Sequence, residues 1–273
     1  MPPPTQIMRP QAGQWVPLVF DSPHSGCVYP DDFRFAIDKK ILRRSEDAFV
    51  DELFAPVTSV GGVLLHAQFP RCYIDPNRAC SDLDVNMIDG DWPDPVNPSA
   101  KIARGAGLVW KQVKKYGQIY DRLLSCAEVQ ARINNCWRPY HEQFSALMDD
   151  AYARAGVVIH LNCHSMASSG DHTTEDGAVA RPDFVLGNLD GVSCSDEVMQ
   201  TVASTLTGLG YRVAINDPYK GQELVRRYSD PDNGRHSLQI EINRALYMNE
   251  QTIQKTSGFD LLQQHLLQVT QAL

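Results

Sequence analysis

Apolar residues along this chain follow two rhythms. Short continuous runs predict buried strands: Trp15 to Phe20, Val63-Leu64-Leu65, Gly156 to Leu161, Phe184-Val185-Leu186, Tyr211 to Ile215 and Ser237 to Ile242. Between them, apolar positions return every three or four residues. Asp38 is a candidate N-cap, and Phe49, Val50, Leu53, Phe54 and Val57 predict a helix past Ser45. Residues 195–208 read as a second helix. Residues 257–271 read as an amphipathic closing helix, with Phe259, Leu262, Leu266 and Val269 on one stripe. Residues 106–150 read as helical, with Pro139 marking a break. Residues 79–100, rich in Asp, Asn and Pro, have no period and read as a long surface loop able to cover a site.

Strands that alternate with helices predict an α/β fold, with a mainly parallel sheet covered by helices on both faces. No linker separates two parts, so residues 1–273 read as a single domain, with residues 1–13 as an N-terminal arm.

Composition narrows the setting. The chain has 273 residues, 43% hydrophobic and 21% charged, enough to bury a core. Its formal net charge of -8 opposes nucleic acid and anionic membranes, while leaving room for a local basic pocket. No run approaches the ~18 apolar residues of a membrane span. The first residues lack the apolar stretch of a secretory signal. Cysteines 27, 72, 80, 126, 136, 163 and 194 form no C-x-x-C pair, so reduced thiols and a cytoplasmic location are expected.

Three strand ends carry candidate chemistry. One delivers His24, one His164, and one carries Glu241. Ligands of open α/β sheets bind at the carboxyl ends of strands. Two histidines there, with further carboxylates, make a donor set that suits Zn2+ and leaves a position for water. For the third ligand, Glu46, Asp47 and Asp51 lie on the helix after the first strand. Asp47 is favoured, and Asp51, four residues on, shares its helix face. Cys27 is the thiolate alternative. His66, His141, His160, His172, His236 and His265 lack a strand-end setting, and His160 reads as a packed core residue. Cys163 and His164 are adjacent on an extended segment and point opposite ways, so they are no thiol–imidazole dyad. Arg71 and Arg78 flank a Cys-Tyr-Ile-Asp-Pro-Asn segment, Arg244 follows the Glu241 strand, and Lys220, Arg226 and Arg227 follow another. Guanidinium groups clasp carboxylates, so these cations suggest an anionic small-molecule substrate.

Six ordered motifs then carry a resemblance: DSPHSG, SEDAFVDELF, YIDPNR, LNCHSM, NDPYKG and QIEINRALYM. Their order and spacing, over roughly Pro17 to Gln251, resemble the N-formylglutamate amidohydrolases, which in turn resemble zinc carboxypeptidases in fold and site. The resemblance implies one domain with a mixed sheet of about eight strands. It implies zinc-dependent release of formate from an N-formyl acidic amino acid, a step of histidine degradation. By it, His24 and His164 match metal ligands, Glu241 the catalytic glutamate, and Arg78 with Asn77 the substrate-carboxylate or oxyanion positions. The acid ligand departs from the carboxypeptidase H-x-x-E pattern, since Cys27 stands where that glutamate would be. A deacylase or carboxypeptidase acting on another acyl group, or a silent ligand-binding homologue, are the alternative readings.

Overall fold

In a computed structural model of the protein, which describes residues 3–113, 116–170 and 177–273, the apolar runs become the strands of one seven-stranded mixed sheet. Its strands are β1 (Thr5–Met8), β2 (Leu18–Ser22), β3 (Val63–Ala67), β4 (Val158–Met166), β5 (Phe184–Gly187), β6 (Val213–Ile215) and β7 (Arg235–Asn243). Their order across the sheet is β1-β3-β2-β4-β7-β5-β6. Strand β4 lies parallel to both β2 and β7, β5 runs antiparallel to β7, and β6 is parallel to β5. The sheet therefore has seven strands rather than about eight. β1 lies within the opening residues, read as an arm or strand lead-in.

Helices follow as α1 (Lys39–Leu42), α2 (Val50–Phe54), α3 (Cys126–Arg132), α4 (Arg138–Ala155), α5 (Asp196–Gly208), α6 (Glu223–Tyr228) and α7 (Phe259–Ala272). Asp38 caps α1 by accepting the Lys40 amide, and Ser195 caps α5 by accepting that of Val198. α5 buries Val198, Met199, Val202 and Leu206, and α7 buries Phe259, Leu262, Leu266 and Val269, the stripe its spacing predicts.

Two helical expectations fail. Residues 106–113 and 116–125 are loop with short two-residue strands, and among the described residues of this stretch α-helix begins at Cys126. The capping box of Ser125 and Glu128 fixes that start. Pro139 does mark a break. It follows a π-helical turn, Ile133–Trp137, and occupies the second position of α4, where its missing N–H costs little. The second failure concerns Asp47. It lies ahead of α2, in a turn closed by Phe49 in the left-handed region (φ 66°), so it does not share a helix face with Asp51.

Close contacts gather the chain into two units. One comprises Met1–Gln6, Pro23–Ala48 and His66–Gln143; the other comprises Ile7–Ser22, Phe49–Leu65 and Phe144–Leu273. The first is mostly loops around a buried aromatic cluster of Phe33, Tyr73 and Tyr120, into which the Arg132 guanidinium stacks. The second holds the central strands β2, β4, β5, β6 and β7 with α5, α6 and α7. In it, alternation sorts β4 and β7 into two faces. Leu161, Cys163, Leu238, Ile240 and Ile242 line the apolar one. His160, Asn162 and His164 of β4 stand on the other, registered against Ser237, Gln239 and Glu241 of β7.

Candidate metal centre

In the first unit, DSPHSG leaves β2 and turns sharply. A side chain on Gly26 would sit 2.2 Å from the Phe69 carbonyl oxygen, so only glycine lets the loop pass. The Asp47 amide donates to the His24 carbonyl at 2.9 Å, which ties the two loops together. Both side chains are buried, and Asp47 Oδ2 lies 3.3 Å from His24 Nδ1. The other ring nitrogen, Nε2, is 2.7 Å from Asp75 Oδ1.

Asp75 is a hub of this unit. Its Oδ1 also accepts the Asn77 amide at 2.9 Å; its Oδ2 accepts Arg71 at 3.2 and 3.3 Å and the Trp110 indole at 3.3 Å. Burial by itself would raise its pKa. The contacts with His24 and Arg71 outweigh burial and hold the carboxyl well below the usual range. Arg71 also reaches Asp47, at 3.6 Å, and stacks on Trp110. Arg78 donates to the carbonyls of Ala106 and Asn77 and lies 3.8 Å from Asp82.

In the second unit, His164 and Glu241 are register partners on adjacent parallel strands, so their side chains stand side by side on one face. Gln239 donates to Glu241 Oε1 at 3.1 Å. His164 Nε2 is 2.7 Å from Asn162 Oδ1. Arg244 donates to Ser165 at 3.0 Å. Cys163 points to the opposite, apolar face, and burial pushes its thiol well above the ordinary range, so it is no nucleophile.

His24 and Asp47 of the first unit and His164 of the second are all buried, and by residue type the three make a candidate metal-ligand set. Two imidazoles and a carboxylate fit a catalytic Zn2+ by donor chemistry. The second nitrogen of each ring is already bound to an acceptor, the usual arrangement behind metal-binding histidines. With its proton drawn to Nε2 by Asp75, His24 turns an Nδ1 lone pair toward the Asp47 carboxylate. Two electron-rich atoms at 3.3 Å call for a cation or a proton between them.

The rival acid positions are placed elsewhere. Glu46 is buried but bonded to Tyr29 at 2.7 Å and Arg43 at 3.2 Å, and burial raises its pKa. Cys27 is exposed and Asp51 only half-buried. Lys220 is 55% exposed and paired with Asp190 at 2.8 Å. Arg226 and Arg227 are exposed and pair with Glu223 one turn back on α6. His160 is buried as expected, yet it is hydrogen-bonded at both ring nitrogens and is more than core filling. His172 lies outside the described residues. Asp21, Asp75 and Asn162 went unnoticed in the sequence.

The family model of N-formylglutamate amidohydrolase matches residues 16–248. The chain belongs to the N-formylglutamate amidohydrolase family. Among solved structures, N-formylglutamate amidohydrolase from Ralstonia eutropha JMP134 is 44% identical, with a TM-score of 0.93 over 98% of this chain and 96% of that one. N-formylglutamate deformylase from Pseudomonas putida is 28% identical over 86% of this chain and 83% of its own length. The deformylase from Pseudomonas aeruginosa is 26% identical over 86% and 84%. The matched span of the family contains His24, Asp47, His164 and Glu241 alike.

Proposed function

We propose that the protein hydrolyses the formamide bond of N-formyl-L-glutamate, or of a related N-formyl acidic amino acid, in a Zn2+-dependent reaction yielding formate and the free amino acid. The observation that carries this reading is the buried His24 and Asp47 pair, its two ligand atoms 3.3 Å apart, in a chain of this family. The names of the relatives support the formyl group and glutamate as substrate.

His24, Asp47 and His164 would hold the metal, and when bound it supplies Lewis acidity for water and for the amide carbonyl. Glu241 removes the proton of the attacking water and then delivers it to the leaving amine nitrogen. Gln239, donating to Glu241 Oε1, steadies that carboxylate. Arg78 meets the charge that develops on the carbonyl oxygen. Asn77, Arg71 and Arg244 orient the substrate carboxylates, and orientation rather than bond-making is their share. Lys220 stands apart in this scheme, because its solvent ion pair with Asp190 already satisfies it. A single domain and a cytoplasmic setting go with this reading; among the described residues, no helix is long and apolar enough to cross a membrane.

The test is formate release from N-formylglutamate with and without a chelator, beside the acetyl and succinyl analogues. Formate release that stops on chelation and returns with Zn2+ is expected. Preferential cleavage of another acyl group would move the substrate, and chelator-resistant turnover would end the metal reading.

A further inference from the structure

A chain of buried polar groups runs behind His164, away from any reacting atom. Asp21 Oδ1 lies 2.7 Å from Asn162 Nδ2 and 2.8 Å from His160 Nε2. Asn162 Oδ1 lies 2.7 Å from His164 Nε2. At the far end His160 Nδ1 is 3.0 Å from Ser237 Oγ, and Phe144 meets the His160 ring edge-on, 4.6 Å between centroids. Asp21, His160, Asn162 and Ser237 are each 0% exposed and His164 is 2% exposed. The sheet register builds the relay, because Asp21 is the cross-strand partner of Asn162 and Ser237 that of His160.

Donor and acceptor chemistry gives this chain a direction. A carboxylate offers acceptors only, so Asp21 takes N–H groups from both Asn162 and His160. The Asn162 amide is thereby oriented with its nitrogen toward Asp21 and its oxygen toward His164. An amide oxygen also only accepts, so His164 Nε2 must carry the hydrogen. We infer that Asp21, Asn162 and His160 are positioning residues that fix the proton of His164 on Nε2 and leave Nδ1 as its lone-pair donor. Buried as it is, the relay resists rearrangement, since a reversed amide would set its oxygen against the Asp21 carboxylate, acceptor against acceptor, and its NH2 against the His164 N–H.

The consequence for metal binding rests on the proposed function, because a histidine ligates through a deprotonated nitrogen. The assignment of the proton does not. It is read by long-range 1H–15N correlation of the metal-free protein at about pH 8, where an unperturbed imidazole is neutral. Zn2+ affinity is read separately by competition with a chromophoric chelator. The wild type is expected to show His164 as the Nε2–H tautomer. Asn162→Leu removes the acceptor; it should lose that preference and bind Zn2+ about 10–100-fold more weakly. The exchange Asp21→Asn with Asn162→Asp restores an acceptor beside His164, with the His160 proton moving to Nδ1 toward Ser237. This double variant should recover both the tautomer and an affinity within about three-fold of wild type, a small part of the loss expected for an outer partner.

An Nδ1–H tautomer in the wild type would overturn the relay. So would an Asn162→Leu protein that keeps the wild-type tautomer, or a folded double variant that recovers neither property. Should Asn162→Leu fail to fold, the wild type and the double variant still decide. Wild-type protein with the Nε2–H tautomer but no Zn2+ affinity would sink the metal reading and sustain the relay.

Discussion

Replacing Asp75 by asparagine tests how His24 is prepared as a ligand. Every group around Asp75 is a donor: His24 Nε2 and the Asn77 amide on one oxygen, Arg71 and the Trp110 indole on the other. An asparagine must turn its NH2 toward one of these sides. Toward Arg71 and Trp110 it meets a charged fork and an indole N–H, neither of which can become an acceptor. Toward His24 it meets an imidazole that can move its proton, and only the Asn77 amide is orphaned. The second arrangement costs less, about 1–3 kcal/mol for one buried donor. It moves the His24 proton to Nδ1, the nitrogen 3.3 Å from Asp47. Asp75→Asn should therefore stay folded, lose about 1–3 kcal/mol in urea unfolding, and bind Zn2+ about 10–100-fold more weakly, or about 1.4–2.8 kcal/mol. Chelator competition measures the affinity and far-UV circular dichroism the fold. A folded variant with wild-type Zn2+ affinity would refute the reasoning, because the carboxylate would then have no part in preparing the ring.

Other outcomes follow from the same contacts. Glu241→Gln should keep a full equivalent of metal by elemental analysis and lose turnover by about 10²-fold or more, since one group serves as base and acid; near-normal formate release would remove it from that role. His24→Ala, His164→Ala and Asp47→Ala should each emerge from dialysis without Zn2+, and a full equivalent in Asp47→Ala would point to another acid ligand. Lys220→Ala should leave KM within about two-fold, as an exposed pair contributes little; a ten-fold rise would bring it into substrate binding. Glu128 carries a pH signature. Partial burial raises its pKa, but hydrogen bonds from Arg122, Ser125 and Arg34 outweigh that and hold it at about 2. A depressed carboxyl stabilises above its unfolded pKa and loses that effect as pH falls through the folded one. Glu128→Gln should thus cost about 1 kcal/mol or less at pH 7, and the deficit should shrink between about pH 4.5 and 2. A deficit that stayed constant across that window would deny the charge any part.

How legible the site was depended on where each residue finds its partner. His24, His164 and Glu241 announce themselves, because each sits at or beside the end of an apolar run and the motifs around them are dense. Asp75 and Asp21 do not. Asp75 meets His24 across 51 residues of sequence, and Asp21 meets His160 across 139, so nothing local marks them as buried acids. One signal was present: His160, Asn162 and His164 recur at every second position of an otherwise apolar strand, as do Ser237, Gln239 and Glu241. Polar groups at period two in a central strand imply a polar face with partners beside it. Residues 106–125 misled in the opposite sense. Their apolar spacing mimics a helix, but Gly105 has a positive φ of 68° and Gly107 leaves no room for a side chain, and both serve a folded loop. Asp47 was chosen for a helix face it does not share, and its place comes instead from the amide bond to His24.

The two histidines are backed differently, and charge explains the difference. Asp75 puts a full negative charge against His24, and Arg71 lies 3.2 Å away to balance it. Behind His164, β4 offers a neutral amide instead. The charge that orients this amide is moved one residue further, to Asp21, where His160 supplies a second donor at 2.8 Å. A buried carboxylate without such donors costs several kcal/mol, so a direct acid at position 162 would need its own cation. The amide transmits direction without adding charge. Asn162→Asp alone should accordingly destabilise the fold by setting a second acid 2.7 Å from Asp21, and pairing it with Asp21→Asn should remove that penalty. Additive losses in the two single variants and the double would show that the two positions act independently, against the coupling argued from their hydrogen bond.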